Sequence, residues 1–255
     1  MQKLLLLLIT MIIGLFMSIT LLKGQSFKAA GNVETKTFPL SHFENINSEM
    51  VFNVEIRKSN EEKAEVTSNF MRFIEISVKN NTLQIGYKKN QQMENVDTKI
   101  VIYAKDVKSV SAGVGSVVKV KDQFDIQKFS TESGGKIFGD SNAKNIVINT
   151  ESGGSVLGTV NTENLTLNAE SGSSINIQGK IETAKISSEG ASRIIATKTD
   201  ISVATVNAES ASSVSLSVSK ELTASASSMA KIRYKTLSGI KFSASRDSGG
   251  TIDSI

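Results

Sequence analysis

Cysteine and tryptophan are absent from the 255 residues, and proline and histidine occur once each, as Pro39 and His42. Without cysteine there is no disulfide, no thiolate metal site and no cysteine-borne lipid anchor. A chain of this size can bury a core without them, so the absence does not argue against export. With one histidine, set beside Phe43, a loop or strand-edge role is expected for His42 in place of a general base. Aromatic residues make up only 5 %, and the second half offers few rings to stack on sugars. What remains is rich in Ser, Gly, Thr, Asn and β-branched residues. That mix is poor for helices and good for short strands with tight corners. After Gln25 no segment carries a helical stripe.

The N-terminus does carry a long apolar run. Lys3 precedes Leu4–Leu22, and Lys23 and Gly24 close the stretch before polar sequence begins. A basic start, an apolar core and a small exit residue read as a secretory signal peptide over residues 1–24, cut between Gly24 and Gln25. The rival is an uncleaved anchor, since the run approaches the roughly 20 residues that span a bilayer. Removing the leader leaves 27 basic and 25 acidic side chains. A net charge of about +2 gives no electrostatic case for nucleic acid. The expected location is beyond the inner membrane of a bacterium: periplasm, cell surface or medium. Membrane contact is expected only through an uncleaved leader.

Residues 25–36 read as a linker and 37–109 as an N-terminal β section. "MVFNVEIRK" sets Phe52, Val54 and Ile56 on one face. "FIEISVKNNTLQIGYKK" alternates on both sides of Asn80-Asn81, a hairpin signature because Asn tolerates positive φ. "NQQMENVD" reads as a polar loop and "TKIVIYAKDVKSV" as one strand.

From about Ser109 the grammar changes. "TESGGKIFG" begins at Thr131, "TESGGSVLG" at Thr150 and "AESGSSINI" at Ala169. A β-branched residue after each corner falls at Val117, Ile137, Val156, Ile175, Ile194, Val214, Ile232 and Ile252, in steps of 18 to 20. Such a period marks a solenoid, whose coils bury a core only by stacking. Parity places Ile146, Ile148 and Thr150 inward, then Leu165, Leu167 and Ala169. Ala184, Ile186 and Ser188 follow, then Ala204, Val206 and Ala208. After the corners come inward Ile177, Ala196, Leu216 and Tyr234. The corners stay small so that they turn sharply and stack; Met229 breaks the rule, as a bulge or an outward Met. The expected fold is all-β: the N-terminal sheet section, then over residues 110–255 a right-handed parallel β-helix of about eight coils. The hand is the default for parallel crossovers.

These parts, in the order "FENINSEMVFNVEIRKS", "NTLQIGY", "TKIVIYAKDVKSVSAGVGSV" and then the "ESGG" and "ESGS" corners, resemble the putative autotransporter-adhesin head family, the GIN domain. The resemblance runs from about Phe43 to the C-terminus. It implies export, the β-helix and an adhesin-like role. The late corners "EGAS", "ESAS" and "SSMA" depart from it by replacing glycine.

The candidate site in the sequence is a column of acids, Glu132, Glu151, Glu170, Glu189 and Glu209, with Asp247 in the last copy. Parity turns it outward, one carboxylate per coil at ~4.8 Å. It reads as a solvated ridge in preference to a Ca²⁺ site, because the glycine-aspartate nonapeptide of calcium β-rolls is missing. Lys136 and Arg193, four residues past their acids, are positioned to offset the repulsion. No catalytic residue, metal or cofactor is expected. The expected function is a non-catalytic exported module that binds an unidentified surface, glycan or protein. The alternatives are a scaffold that self-assembles through the β-helix ends, and a polysaccharide-cleaving β-helix. The latter lacks both a site-like cluster and the long insertions that build a cleft.

Overall fold

The computed structural model describes residues 26–28, 32–88, 92–236 and 239–255. Gly24 and Gln25, where cleavage is expected, lie outside the described residues. The solenoid is as expected: about eight turns of stacked parallel strands follow an N-terminal sheet. Each turn gives one strand to sheet A, which leads into the corner, and one to sheet B, which leaves it. Sheet A stacks Asn45–Ser48, Ser109–Ala112, Lys128–Thr131, Asn145–Thr150 and Thr162–Ala169 in parallel. Sheet B stacks Asn53–Lys58, Val117–Val120, Lys136–Phe138 and Ser155–Thr159. Further on, Ser174–Ser188, Arg193–Ala208 and Ser213–Ala226 bend through both sheets as single long strands. Lys231–Lys235, Lys241–Arg246 and Thr251–Ser254 complete the stack.

The ladder passes unbroken from the N-terminal section into the repeats. Asn45–Ser48 and Asn53–Lys58 already form a coil with a corner between them, and the chain then leaves to build the antiparallel end. There Ile74–Lys79 pairs with Thr82–Tyr87 around Asn80 and Asn81, both at positive φ. Thr98–Ala104 carries Lys63–Ser68, which carries Glu34–Pro39. "TKIVIYAKDVKSV" is therefore two strands, Thr98–Ala104 in sheet B and Ser109–Ala112 in sheet A, separated by a corner that buries Val107. "NQQMENVD" includes a short strand, Gln92–Glu94, parallel to Ser26–Lys28.

Register settles which side chains face inward. The sheet B column runs Val54, Val118, Ile137, Val156, Ile175, Ile194, Val214, Ile232, Ile252. Val118, not Val117, heads the repeat: Val118 is buried and Val117 pairs with Lys136 on the outside. Two adjacent valines made a slip of one residue invisible to spacing. The sheet A column is Val110, Phe129, Ile148, Leu167, Ile186, Val206 and Ala224, all buried.

The corners explain the small residues. Glu132, Ser133, Gly134 and Gly135 form a turn closed by the Gly135 N–H donating to the Glu132 carbonyl at 2.8 Å, with Ser133 at φ 47° and Gly134 at φ 76°. Two successive positive φ values define a type I′ turn. The amide at its third position donates to the next corner, as Gly134 N–H does to the Ser152 carbonyl at 3.1 Å. Met229 occupies that position at φ 63°, 68 % exposed and hydrogen-bonded to Ser248 like its neighbours, so it points outward without a bulge. Where the fourth corner position is serine, it buries a paired hydroxyl: Ser48 meets Ser116 at 2.7 Å, and Thr150 meets Ser173 at 2.9 Å.

Candidate functional site

The acid column lies where parity put it. Glu132, Glu151, Glu170 and Glu189 each open a corner and are exposed, and Glu209 is half-buried beside Asn207, whose amide donates to it at 2.7 Å. Pairing of Ala112 with both Ser48 and Thr131 sets Gly113 level with Glu49 and Glu132, so glycine interrupts the column there. Ser227 interrupts it again before Asp247. The corner glutamates share no ion pair with Lys136 or Arg193. Among the described residues no three His, Asp or Glu side chains converge on a point that could hold a metal ion. His42 pairs with Glu62, Nδ1 to Oε1 at 3.0 Å, and is itself exposed.

A different part of the surface is shaped to receive something. A groove of about 650 Å³ runs along the flank of sheet B and is lined from Lys119 and Lys121 through Phe138, Leu157 and Asn176 to Lys198. Its floor follows one outward register row, Lys119, Phe138, Leu157, Asn176. Two of these are apolar, against the usual alternation. The inward place one residue further along each strand is unusual too. The inward places held by Ile177, Ala196 and Leu216 in later coils are held by Gly139 and Gly158 in the coils of Phe138 and Leu157. At Gly139 a Cβ would stand 2.9 Å from Val120 Cγ2 and 3.3 Å from Phe129 Cε1, so the large inward ring of Phe129 fills the room. At Gly158 it would stand 1.8 Å from the Gly139 carbonyl oxygen, and only glycine allows that approach. The two coils sink at this point, with their apolar side chains left outside. Phe138 is 38 % exposed.

One wall of the groove is a polar ladder. Asp140 Oδ1 accepts the Thr159 N–H at 2.6 Å, and the Thr159 hydroxyl accepts the Gln178 amide at 3.2 Å. Lys119, Lys121 and Lys198 are exposed and make no ion pair among the described residues, and Asp140 is the one acid in the lining. The groove is thus open, cationic at both ends, and apolar and amide-bearing between them. Sequence reasoning missed it and judged the repeats too poor in aromatics. One aromatic at an outward position suffices, and the signal was the last two letters of "TESGGKIFG" and "TESGGSVLG", where apolar-outside and glycine-inside invert the pattern.

The molecule is thus a β-solenoid closed at one end by antiparallel strands, with a groove on the flank of sheet B. The chain belongs to the family described as putative auto-transporter adhesin, head GIN domain, whose model matches residues 42–236. Solved structures share the fold. A putative adhesin from Parabacteroides merdae superimposes with a TM-score of 0.83 at 17 % identity, covering 90 % of this chain and 99 % of its own. A putative lipid binding protein from Parabacteroides distasonis gives 0.84 at 19 %, covering 91 % and 100 %. A putative adhesin from the same organism gives 0.75 at 15 %, covering 91 % and 100 %. No curated protein matches the chain.

Proposed function

We propose that the protein is an exported, non-catalytic binding module, at the cell surface or in the periplasm, that engages its ligand through the flank groove. The observation that carries this reading is the inverted pair of coils, which leaves Phe138 and Leu157 outside above glycines. An exposed aromatic beside unpaired lysines, on a backbone held by neighbouring coils, is a preformed contact surface. The adhesin descriptions of the family and of similar structures support the same reading. The apolar leader, residues 1–24, supports export. Fractionation of cells expressing the full chain, with N-terminal sequencing, tests the location: a product starting at Gln25 outside the inner membrane is expected, and intact Met1 in inner membranes contradicts it. Attachment of the protein to cells, matrix and immobilised polysaccharides, compared with Phe138→Ala, tests the module. Attachment that survives the substitution unchanged removes the groove from the account.

A further inference from the structure

The groove's chemistry narrows its ligand. We infer that it binds a linear acidic polysaccharide, a run of sugar rings bearing carboxylates; this rests on the binding-module reading above. Lys119 and Lys121 stand in one coil and Lys198 four coils further along, about 19 Å away at ~4.8 Å per coil. None of the three forms an ion pair among the described residues; Glu55 stands beside Lys119 in register and feels the charge of Lys121, and Asp140 is the one acid in the groove lining itself, so the cations outnumber the acids near them. Cations at both ends of an open trough select an extended anion carrying charge along its length, in place of a compact one. Between them the floor passes from apolar Phe138 and Leu157 to Asn176, and Gln178 adds a second amide from the wall. A sugar ring has that same duality, a C–H face for the aromatic ring and hydroxyls for the amides. The hydrogen bonds from Thr159 to Asp140 and from Gln178 to Thr159 hold this wall in place before any ligand arrives, which lowers the ordering cost of binding. An acyl chain fits poorly, since lipid sites enclose most of their ligand in apolar walls and here half the lining is polar or charged. Single-stranded nucleic acid calls for successive aromatic platforms, and the groove has one ring.

The test is calorimetric titration of the full chain with a size-defined oligogalacturonate, against the same oligosaccharide with its carboxylates reduced to alcohols. Single-stranded DNA and phosphatidylglycerol vesicles are the other arms. Binding of the acidic oligosaccharide is expected, weakened by salt and weakened about tenfold or more by carboxyl reduction. Lys119→Ala with Lys198→Ala, and separately Phe138→Ala, are each expected to weaken it about tenfold. These side chains are exposed, so circular dichroism and melting should not change. Equal binding of the reduced oligosaccharide, preference for vesicles or DNA, or indifference to the lysine substitutions overturns the inference. No binding of the acidic oligosaccharide also overturns it. If attachment to another surface is still lost with Phe138→Ala, only the ligand class falls. If attachment is insensitive to Phe138→Ala as well, the binding-module reading falls with it.

Discussion

Thr131 is the one buried side chain among the described residues whose polar atom lacks a partner. The neighbouring coils explain it. Thr150 is matched by Ser173 at the fourth corner position one coil on, whereas the residue matching Thr131 is Gly154, which brings no hydroxyl. With Thr131 as it stands, a serine there would place its Cβ 2.4 Å from Thr131 Oγ1, so the threonine would have to shift to admit it. Thr131→Val keeps the shape and removes the orphan hydroxyl. It should raise stability by about 1 kcal/mol in urea titration, while Thr150→Val, which breaks a made bond, should lower it by a similar amount. Inward and outward places are equally distinct. Leu167 is fully buried and Asn168 bonds outward to Asn149 at 2.9 Å. Leu167→Asp should abolish the β-type circular dichroism and Asn168→Asp should leave it intact, because only the first buries an unpaired charge. Equal tolerance would mean a register wrong by one residue.

Among the elements, the hairpin, the first coil and the repeats meet at one junction. Glu44 stands there. Its carboxylate takes the Lys108 ammonium and, at 2.9 Å, the Asn81 amide. The Lys108 hydrogen bond is the main cause that holds its pKa below the ordinary 4.5, with partial desolvation opposing. A depressed carboxylate contributes stability that is present above its unfolded value and is lost as pH falls through the folded one. Between neutrality and about pH 5 Glu44→Gln should therefore shift the urea midpoint down by a constant amount, and below 4.5 the gap from the parent should close. A gap independent of pH down to 3 would exclude the clamp. This junction was hard to read in the sequence, because Glu44, Asn81 and Lys108 sit in three separate segments and nothing local announces their meeting. The repeats were legible for the opposite reason: each coil must offer its neighbour the same corner at the same height, so packing is written into the spacing. That regularity also hid the groove. Gly139 and Gly158 are two more small residues among many, and only the register shows that they hold inward places beside the outward Phe138 and Leu157.

For the molecule as a whole, the acid column follows the corners while the groove lining carries three lysines and one acid. Neighbouring corner carboxylates at about 4.8 Å repel by roughly 0.9 kcal/mol in bulk water before screening. Monovalent salt should raise the melting temperature slightly, and Ca²⁺ should do no more than salt of equal ionic strength. A calcium-specific rise of several degrees, removed by Glu151→Gln with Glu170→Gln, would turn the ridge into a site. The ends of the solenoid differ: antiparallel strands close the first, and the exposed Lys241–Arg246 strand lies at the other. In the role proposed above, the protein holds its ligand without changing it. The most direct measurement incubates it with immobilised acidic polysaccharide, quantifies retention, and sizes the recovered polymer. Retention that falls with Phe138→Ala, with chain length unchanged after prolonged contact, is the predicted result. Shortened chains or unsaturated ends that disappear with a groove substitution would contradict it and make the protein an enzyme.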